Sequence, residues 1–266
     1  MNKFFKSTLL ASIGTMTALS AQAELDSNRY GYPALYKSEI SSAEAWELAN
    51  NQPAKGKLKP VILDVRRVEE YVKGHPPGAV SIPFPHVHKS PTKDNDGAAY
   101  FTFAENGESL YIGYDISEDP DDVGFQTAPN YRDGVLPIDD FIAEVEARFP
   151  DKKTPLFLVC ATGFRSVQAG NALAKAGYSE VRNVWEGWNG LPKYAYTRTG
   201  FPEYTLDDEG NPVFTKLDVN HDGKIDVNDN DGWAFYQGLP VETKFKKKLV
   251  DQRFLDLYEE ELQKLK

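Results

Sequence analysis

The chain has 266 residues and very little sulfur: one cysteine, Cys160, and two methionines. A single cysteine excludes any intramolecular disulfide and any multi-cysteine zinc or iron–sulfur site. Basic residues are also in deficit, with 30 Lys and Arg against 40 Asp and Glu, a net charge of −10. Such a surface argues against nucleic-acid binding as the main task, which needs basic patches. Past the first two dozen residues no apolar run is long enough to span a bilayer, so no membrane anchor is expected there. Internal repeats and low-complexity tracts are lacking too. What is present is ordinary: 41% hydrophobic and 26% charged residues. That composition supports a folded chain of one large domain or two small ones.

Residues 1–23 read as an address. Lys3 and Lys6 give a positive start, a short apolar run follows to about Ala18, and Ala21-Gln22-Ala23 supplies small residues for a peptidase. These are the three parts of a secretory signal. The expectation is a periplasmic protein cleaved after about Ala23. In that compartment a lone cysteine stands out as a reactive thiol.

Strand and helix signals then alternate. Ser41 and Glu44 form a capping-box pattern before a helix to about Asn50. Val61-Ile62-Leu63-Asp64-Val65 and Leu156-Phe157-Leu158-Val159 are short β-branched or apolar runs that suit buried strands. Ala79 to Ile82 and Val181 to Val184 suit two more. Pro137 opens a helix to Phe149 with Ile138, Phe141, Ile142, Val145 and Phe149 on one stripe. Arg165 to Ala176 is a helix closed by Gly177. The alternation implies an α/β fold with a parallel sheet covered on both faces. Residues 24–194 are read as one domain. Its interruption at about 89–134 carries ten acids against three bases and reads as surface loops. Residues 195–266 form a C-terminal extension ending in a helix, with Phe245, Leu249, Tyr258, Leu262 and Leu265 near one face.

The chemistry centres on Cys160. A buried strand delivers the thiol to its C-terminal end, and Ala161-Thr162-Gly163-Phe164-Arg165 leads into a helix. In an open α/β sheet that end is where ligands bind. Loop amides and the helix start favour an anion, and together with Arg165 they favour the thiolate. Gly163 permits the tight curvature. The pattern is that of a nucleophilic cysteine in an anion cradle.

These residues resemble the single-domain rhodanese family. Leu63-Asp64-Val65-Arg66, Glu70-Tyr71, Gly74-His75-Pro76-Pro77-Gly78-Ala79 and Ile82-Pro83 are similar to its first signature. Cys160 to Ser166 resembles its active-site loop in the Cys-x-x-Gly-x-Arg-Ser form. Ala172, Leu173, Gly177, Val181, Val184, Gly187 and Trp188 resemble the helix, strand and turn that follow. The likeness covers about residues 38–192. It implies a five-stranded parallel sheet with helices on both faces, plus the loop-rich insertion and the extension. It also implies sulfur transfer: Cys160 takes sulfur from thiosulfate or a persulfide or polysulfide donor and passes it to a thiophilic acceptor. The partners implied are small sulfur-containing anions and protein or low-molecular-weight thiols, with no organic cofactor. Arg165 would help hold an anionic donor, and the amides from Ala161 to Arg165 would hold the persulfide. Asp64, Arg66 and His75 would be supporting residues. Related phosphatases and arsenate reductases use a loop one residue longer, so six residues favour sulfur. Ala161 and Phe164 are apolar where many relatives are polar, which points to a larger or protein-borne donor. A binding module for a redox partner, without catalysis, is the alternative. His86 and His88 read as surface loop residues rather than half of a metal site.

A second motif lies in the extension. Asp218-Val219-Asn220-His221-Asp222-Gly223-Lys224-Ile225-Asp226-Val227-Asn228-Asp229 has the pattern of a calcium loop. Side-chain oxygens come from Asp218, Asn220, Asp222, Asp226 and Asp229, and Lys224 offers its carbonyl. Four carboxylates in twelve residues repel one another unless a cation binds. Asp229 replaces the usual Glu, as in dockerin-type loops, and Pro212, Val213 and Phe214 make a long helix before the loop doubtful. The expectation is a lone loop with a structural calcium ion.

Overall fold

The computed structural model describes residues 29, 34–53, 55–84, 100–103, 109–112, 138–195, 198, 203–235 and 238–266. Residues 1–23, read as an export signal, His86, His88, Pro137 and most of the insertion lie outside the described residues. The elements are β1 (Ser38–Ile40), α1 (Ser42–Asn50), β2 (Val61–Asp64), α2 (Val68–Lys73), β3 (Val80–Ser81), β4 (Tyr100–Phe103), β5 (Ser109–Ile112), α3 (Ile138–Arg148), β6 (Leu156–Val159), α4 (Phe164–Lys175), β7 (Val181–Val184), β8 (Tyr204–Leu206), β9 (Pro212–Phe214) and α5 (Leu255–Lys264).

Five strands form one parallel sheet in the order β1-β7-β6-β2-β3, flanked by helices. Parallel strands are buried on both faces and so carry continuous apolar runs. The central strand β6, Leu-Phe-Leu-Val, is buried at every position. Val159 stands opposite Asp64 of β2, and the next residue is Cys160. The site therefore sits just past the C-terminal edge of the sheet's middle.

Local signals explain most boundaries. Ser41 accepts the Glu44 backbone N–H at 3.1 Å and caps α1. The expected reciprocal bond is replaced by a long pair between Glu44 and Arg182, at 3.8 Å. Phe141 and Val145 form the buried stripe of α3. α4 begins at Phe164, one residue before the sequence pattern placed it.

The extension shares the core of the sheet domain. Trp233, Val250 and Tyr258 are fully buried and belong to the same apolar cluster as Leu63, Leu158 and Val184. Trp233 meets Trp46 edge to face at 6.1 Å and donates its indole N–H to the Pro240 carbonyl at 3.0 Å. The α5 helix packs on α2. Its Tyr258 shares a 2.8 Å hydrogen bond with Ser81 and lies edge to face with Tyr71 at 6.0 Å.

Two expectations need correction. The apolar stripe from Phe245 to Leu265 is not one helix. Short 3-10 turns at Lys247–Leu249 and Gln252–Phe254 break it, because the Asp251 carboxylate caps the second turn through Arg253 N–H. Leu265 is half exposed. The insertion is also not loops throughout, since β4 and β5 pair as an antiparallel hairpin. A second hairpin, β8–β9, occupies the start of the extension.

Candidate active site

Cys160 is 1% exposed, at the end of β6. Its loop is pressed against the turn that follows β7. Trp188 N–H donates to the Cys160 carbonyl at 2.7 Å, and Asn189 N–H donates to the Ala161 carbonyl at 2.7 Å. A trans peptide holds its C=O and N–H on opposite sides. The N–H groups of Ala161 and Thr162 are thus turned away from the Trp188 turn. Ala161, Thr162 and Phe164 are the partly exposed members of the loop, whereas Gly163, Arg165 and Ser166 are buried.

Two glycines make this approach possible. Gly163 has φ +85°, and a Cβ there would lie 2.1 Å from the Trp185 carbonyl oxygen. Gly187 has φ +70°, and its Cβ would lie 2.6 Å from Gly163 N and 2.7 Å from Thr162 N. Both positions need a left-handed backbone and no side chain.

Arg165 is 7% exposed and turns toward α2, with Nη1 3.4 Å from the Glu70 carboxylate. Burial alone would raise the Glu70 pKa. The guanidiniums of Arg165, Arg67 and Arg66 and the Arg67 backbone N–H outweigh it and hold the pKa at about 2. The Glu70 carboxylate thereby fixes one edge of the Arg165 guanidinium, through one of its five N–H donors. Glu70 was visible only as part of a family pattern; the pairing joins residues 95 positions apart.

The supporting residues form a buried brace. Asp64, at 0% exposure, accepts from Arg66 N at 3.0 Å, Nε at 3.0 Å and Nη2 at 2.6 Å. Arg66 also donates to the Gly74 carbonyl at 2.8 Å and lies over the Trp188 ring at 4.4 Å. It thus ties β2, the end of α2 and the Trp188 turn together. His75 stacks on Tyr71 at 3.9 Å, and its Nδ1 lies 3.0 Å from the Tyr71 carbonyl. Burial lowers its pKa, and Nε2 lies 3.9 Å from the Glu242 carboxylate.

Beneath the thiol lies a polar column that the sequence reading missed. Ser166 Oγ is 3.3 Å from Cys160 Sγ and 2.6 Å from Asn183 Oδ1. Asn183 Nδ2 reaches Glu39 Oε2 at 2.9 Å and the Gly163 carbonyl at 3.2 Å. The available signal was Asn183 itself, a polar residue in a strand whose period turns it into the core.

The acidic loop is built differently. Asp218 accepts from Asp222 and Gly223 N–H, Asn220 from Asp222 N–H, Asp222 from Lys224 N–H and Asp226 from Asn228 N–H, all at 2.8–3.2 Å. Asp229 is 1% exposed and accepts N–H groups of Val219, Asn220 and Asp226. Those amides, Asp226 foremost, lower its pKa. Among the described residues, no three His, Cys, Asp or Glu side chains are gathered into a ready metal cluster. Ile225, the apolar residue of the motif, is 54% exposed.

A parallel α/β sheet that presents a buried cysteine from its central strand, in a six-residue loop closing on a helix, defines a class of proteins built around a strand-end thiol. The model of the rhodanese-like domain matches residues 42–192, more than half of the chain. The chain belongs to the rhodanese-like domain family. The crystal structure of the M. tuberculosis protein Rv0390 is similar, at 20% identity and a TM-score of 0.38, over 79% of this chain and 99% of that one. The solution structure of a rhodanese-like domain from Anabaena sp. is similar at 17% identity and a TM-score of 0.31, over 56% of this chain and 68% of that one. No curated protein matches the chain.

Proposed function

We propose that the protein is a sulfurtransferase that carries sulfane sulfur on Cys160. The observation behind this reading is the seating of the loop. The Cys160 and Ala161 carbonyls are held by the Trp188 turn, so the Ala161 and Thr162 amides face the other way, where an anion is stabilised by N–H donors. The Cys160 thiolate attacks the outer sulfur of thiosulfate. A Cys160–sulfur bond forms, the donor's S–S bond breaks, and sulfite leaves with that bond's electron pair. A thiolate acceptor then attacks the terminal sulfur of the persulfide and releases Cys160 as thiolate. No second cysteine is needed. Glu70 positions Arg165 through Nη1, and donor binding is assigned to the loop amides and Arg165, with the partly exposed Phe164 and Ala161 at the rim. That rim suits a bulky or protein-borne donor better than a small free anion.

The test is intact-mass measurement after incubation of the full chain with thiosulfate and, separately, polysulfide. The expected result is the mass of one added sulfur atom, absent in Cys160→Ser. A folded protein that takes no sulfur from any donor would overturn the reading. Retained partner binding by Cys160→Ala would then favour the binding module.

We also propose that loop 218–229 takes a calcium ion and that the chain is exported. The donor set is all oxygen: four carboxylates, the Asn220 amide and the Lys224 carbonyl, which suits a hard cation. Asp229 has the least to offer, since Oδ1 already accepts two N–H groups and Oδ2 one. Chelator should lower the melting temperature of the wild type and leave that of Asp218→Ala unchanged; equal melting with and without chelator removes the ion. N-terminal sequencing of mature protein tests cleavage after about Ala23.

A further inference from the structure

We infer that Glu39 and Asn183 are positioning residues that aim the single hydrogen of Ser166 away from Cys160, so that the thiol gains its hydroxyl donor only when this column lets go. The inference refines the sulfur-transfer reading, since it concerns when Cys160 becomes a nucleophile.

The argument is one of hydrogen counting. Ser166 has one O–H and two neighbours that could accept it: Asn183 Oδ1 at 2.6 Å and Cys160 Sγ at 3.3 Å. All three groups are buried, with Ser166 at 0%, Asn183 at 1% and Cys160 at 1% exposure, so a lost partner is costly. The orientation of the Asn183 amide decides the contest. Its nitrogen is bound to two acceptors, the Glu39 carboxylate at 2.9 Å and the Gly163 carbonyl at 3.2 Å. The nitrogen must therefore face those oxygens, and the amide oxygen must face Ser166. That oxygen can only accept. The Ser166 hydrogen consequently points at Asn183, and the Ser166 lone pairs point at the sulfur.

A thiol fits this arrangement, because S–H donates to Ser166 Oγ. A thiolate does not. To stabilise it, Ser166 must swing its hydrogen to the sulfur and leave a buried amide oxygen without a donor. Glu39 closes the far end of the column. Tyr36 O–H donates to its other oxygen, and Arg29 is the cation that acts on it. Burial is the main influence on Glu39 and raises its pKa, while Tyr36, Asn183 and Arg29 oppose this. Arg29 also pairs with Asp231, and Glu186, beside Gly187, accepts the Ser42 N–H. Asp64 and Arg66 bind each other from β2, and Glu70 of α2 holds Arg165 of α4.

The experiment follows carbamidomethylation of Cys160 by iodoacetamide as a function of pH, read by intact mass. The reaction joins carbon to sulfur, releases iodide and sends the thiol proton to the buffer, so it needs no sulfur donor. It therefore reads this inference even if sulfur loading fails, and sulfur loading can succeed whatever its outcome. Asn183→Leu should move the pH of half-maximal reactivity down by about one unit, the effect of one freed hydrogen bond to a charged atom. Ser166→Ala should abolish that response, so the double variant should match Ser166→Ala alone. Glu39→Gln, on the edge strand, should give a smaller shift in the same direction and serves if Asn183→Leu does not fold. An unmoved pH profile in Asn183→Leu and Glu39→Gln overturns the inference. So does an equal shift with and without the Ser166 hydroxyl, since the effect would then be one of charge or packing alone.

Discussion

The Cys160 loop and the acidic loop at 218–229 are both short turns around a glycine, yet they are held in opposite ways. The acidic loop shapes itself. Every bond named within it joins residues at most ten positions apart, and most join residues two to five apart. The Cys160 loop is shaped from outside, by the Trp188 turn behind it, Glu70 beside it and Asn183 beneath it. A self-shaped loop can bind a ligand wherever it is placed. An externally shaped loop is only as good as the elements that brace it.

This contrast sets an order of expected effects. The largest is at Trp233, fully buried between Trp46 and the Trp188 turn, to which its own N–H and that of Ala234 donate. Trp233→Ala should cost about 3–5 kcal/mol in denaturant unfolding and slow sulfur loading of Cys160. Unchanged loading in the folded variant would break the comparison. Next is Gly187→Ala, where the added Cβ meets backbone on a left-handed residue. About 3 kcal/mol is expected, together with a disturbed Cys160 loop.

The third effect is a pH dependence. Glu70 has its pKa lowered from 4.5 to about 2 in the folded state. Its contribution is therefore fully present above pH 4.5 and lost as pH falls towards 2. About 3 kcal/mol is at stake. Unfolding measured from pH 5 down to 3 should decline more steeply in the wild type than in Glu70→Gln. Equal slopes would remove the buried pair from the account of the loop. The smallest effect is at exposed Asn220. In the presence of chelator, Asn220→Ala should change stability by no more than about 0.5 kcal/mol and leave Cys160 loading untouched. A larger loss there would show that the acidic loop also leans on its surroundings.

What could be read in advance divides along the same line. Strands β2, β6 and β7 and helices α1, α3 and α4 carry their causes locally, in apolar runs, a serine cap and a 3.6-residue stripe. The Cys160 motif is likewise contiguous. Edge strand β1, Ser-Glu-Ile, has no strand signal of its own and exists because β7 pairs with it. The hairpin β8–β9 was obscured by Pro212, which sits at the start of its strand, where a missing N–H is tolerated. The Glu70–Arg165 pair, the Ser166–Asn183–Glu39 column and the seat of Trp233 each join distant segments. Pattern alone gives the residue types for such contacts but not the partners.

The backbone bonds from Trp233 and Ala234 to Gly187 and Trp188 carry one more implication. A protease that cut after residue 200 would leave the matched span 42–192 intact in sequence and separate the turn behind the Cys160 loop from the segment that braces it. Fragments trimmed to the family boundaries at 42–192 lack that brace, so a fault in their Cys160 loop would be mechanical rather than chemical.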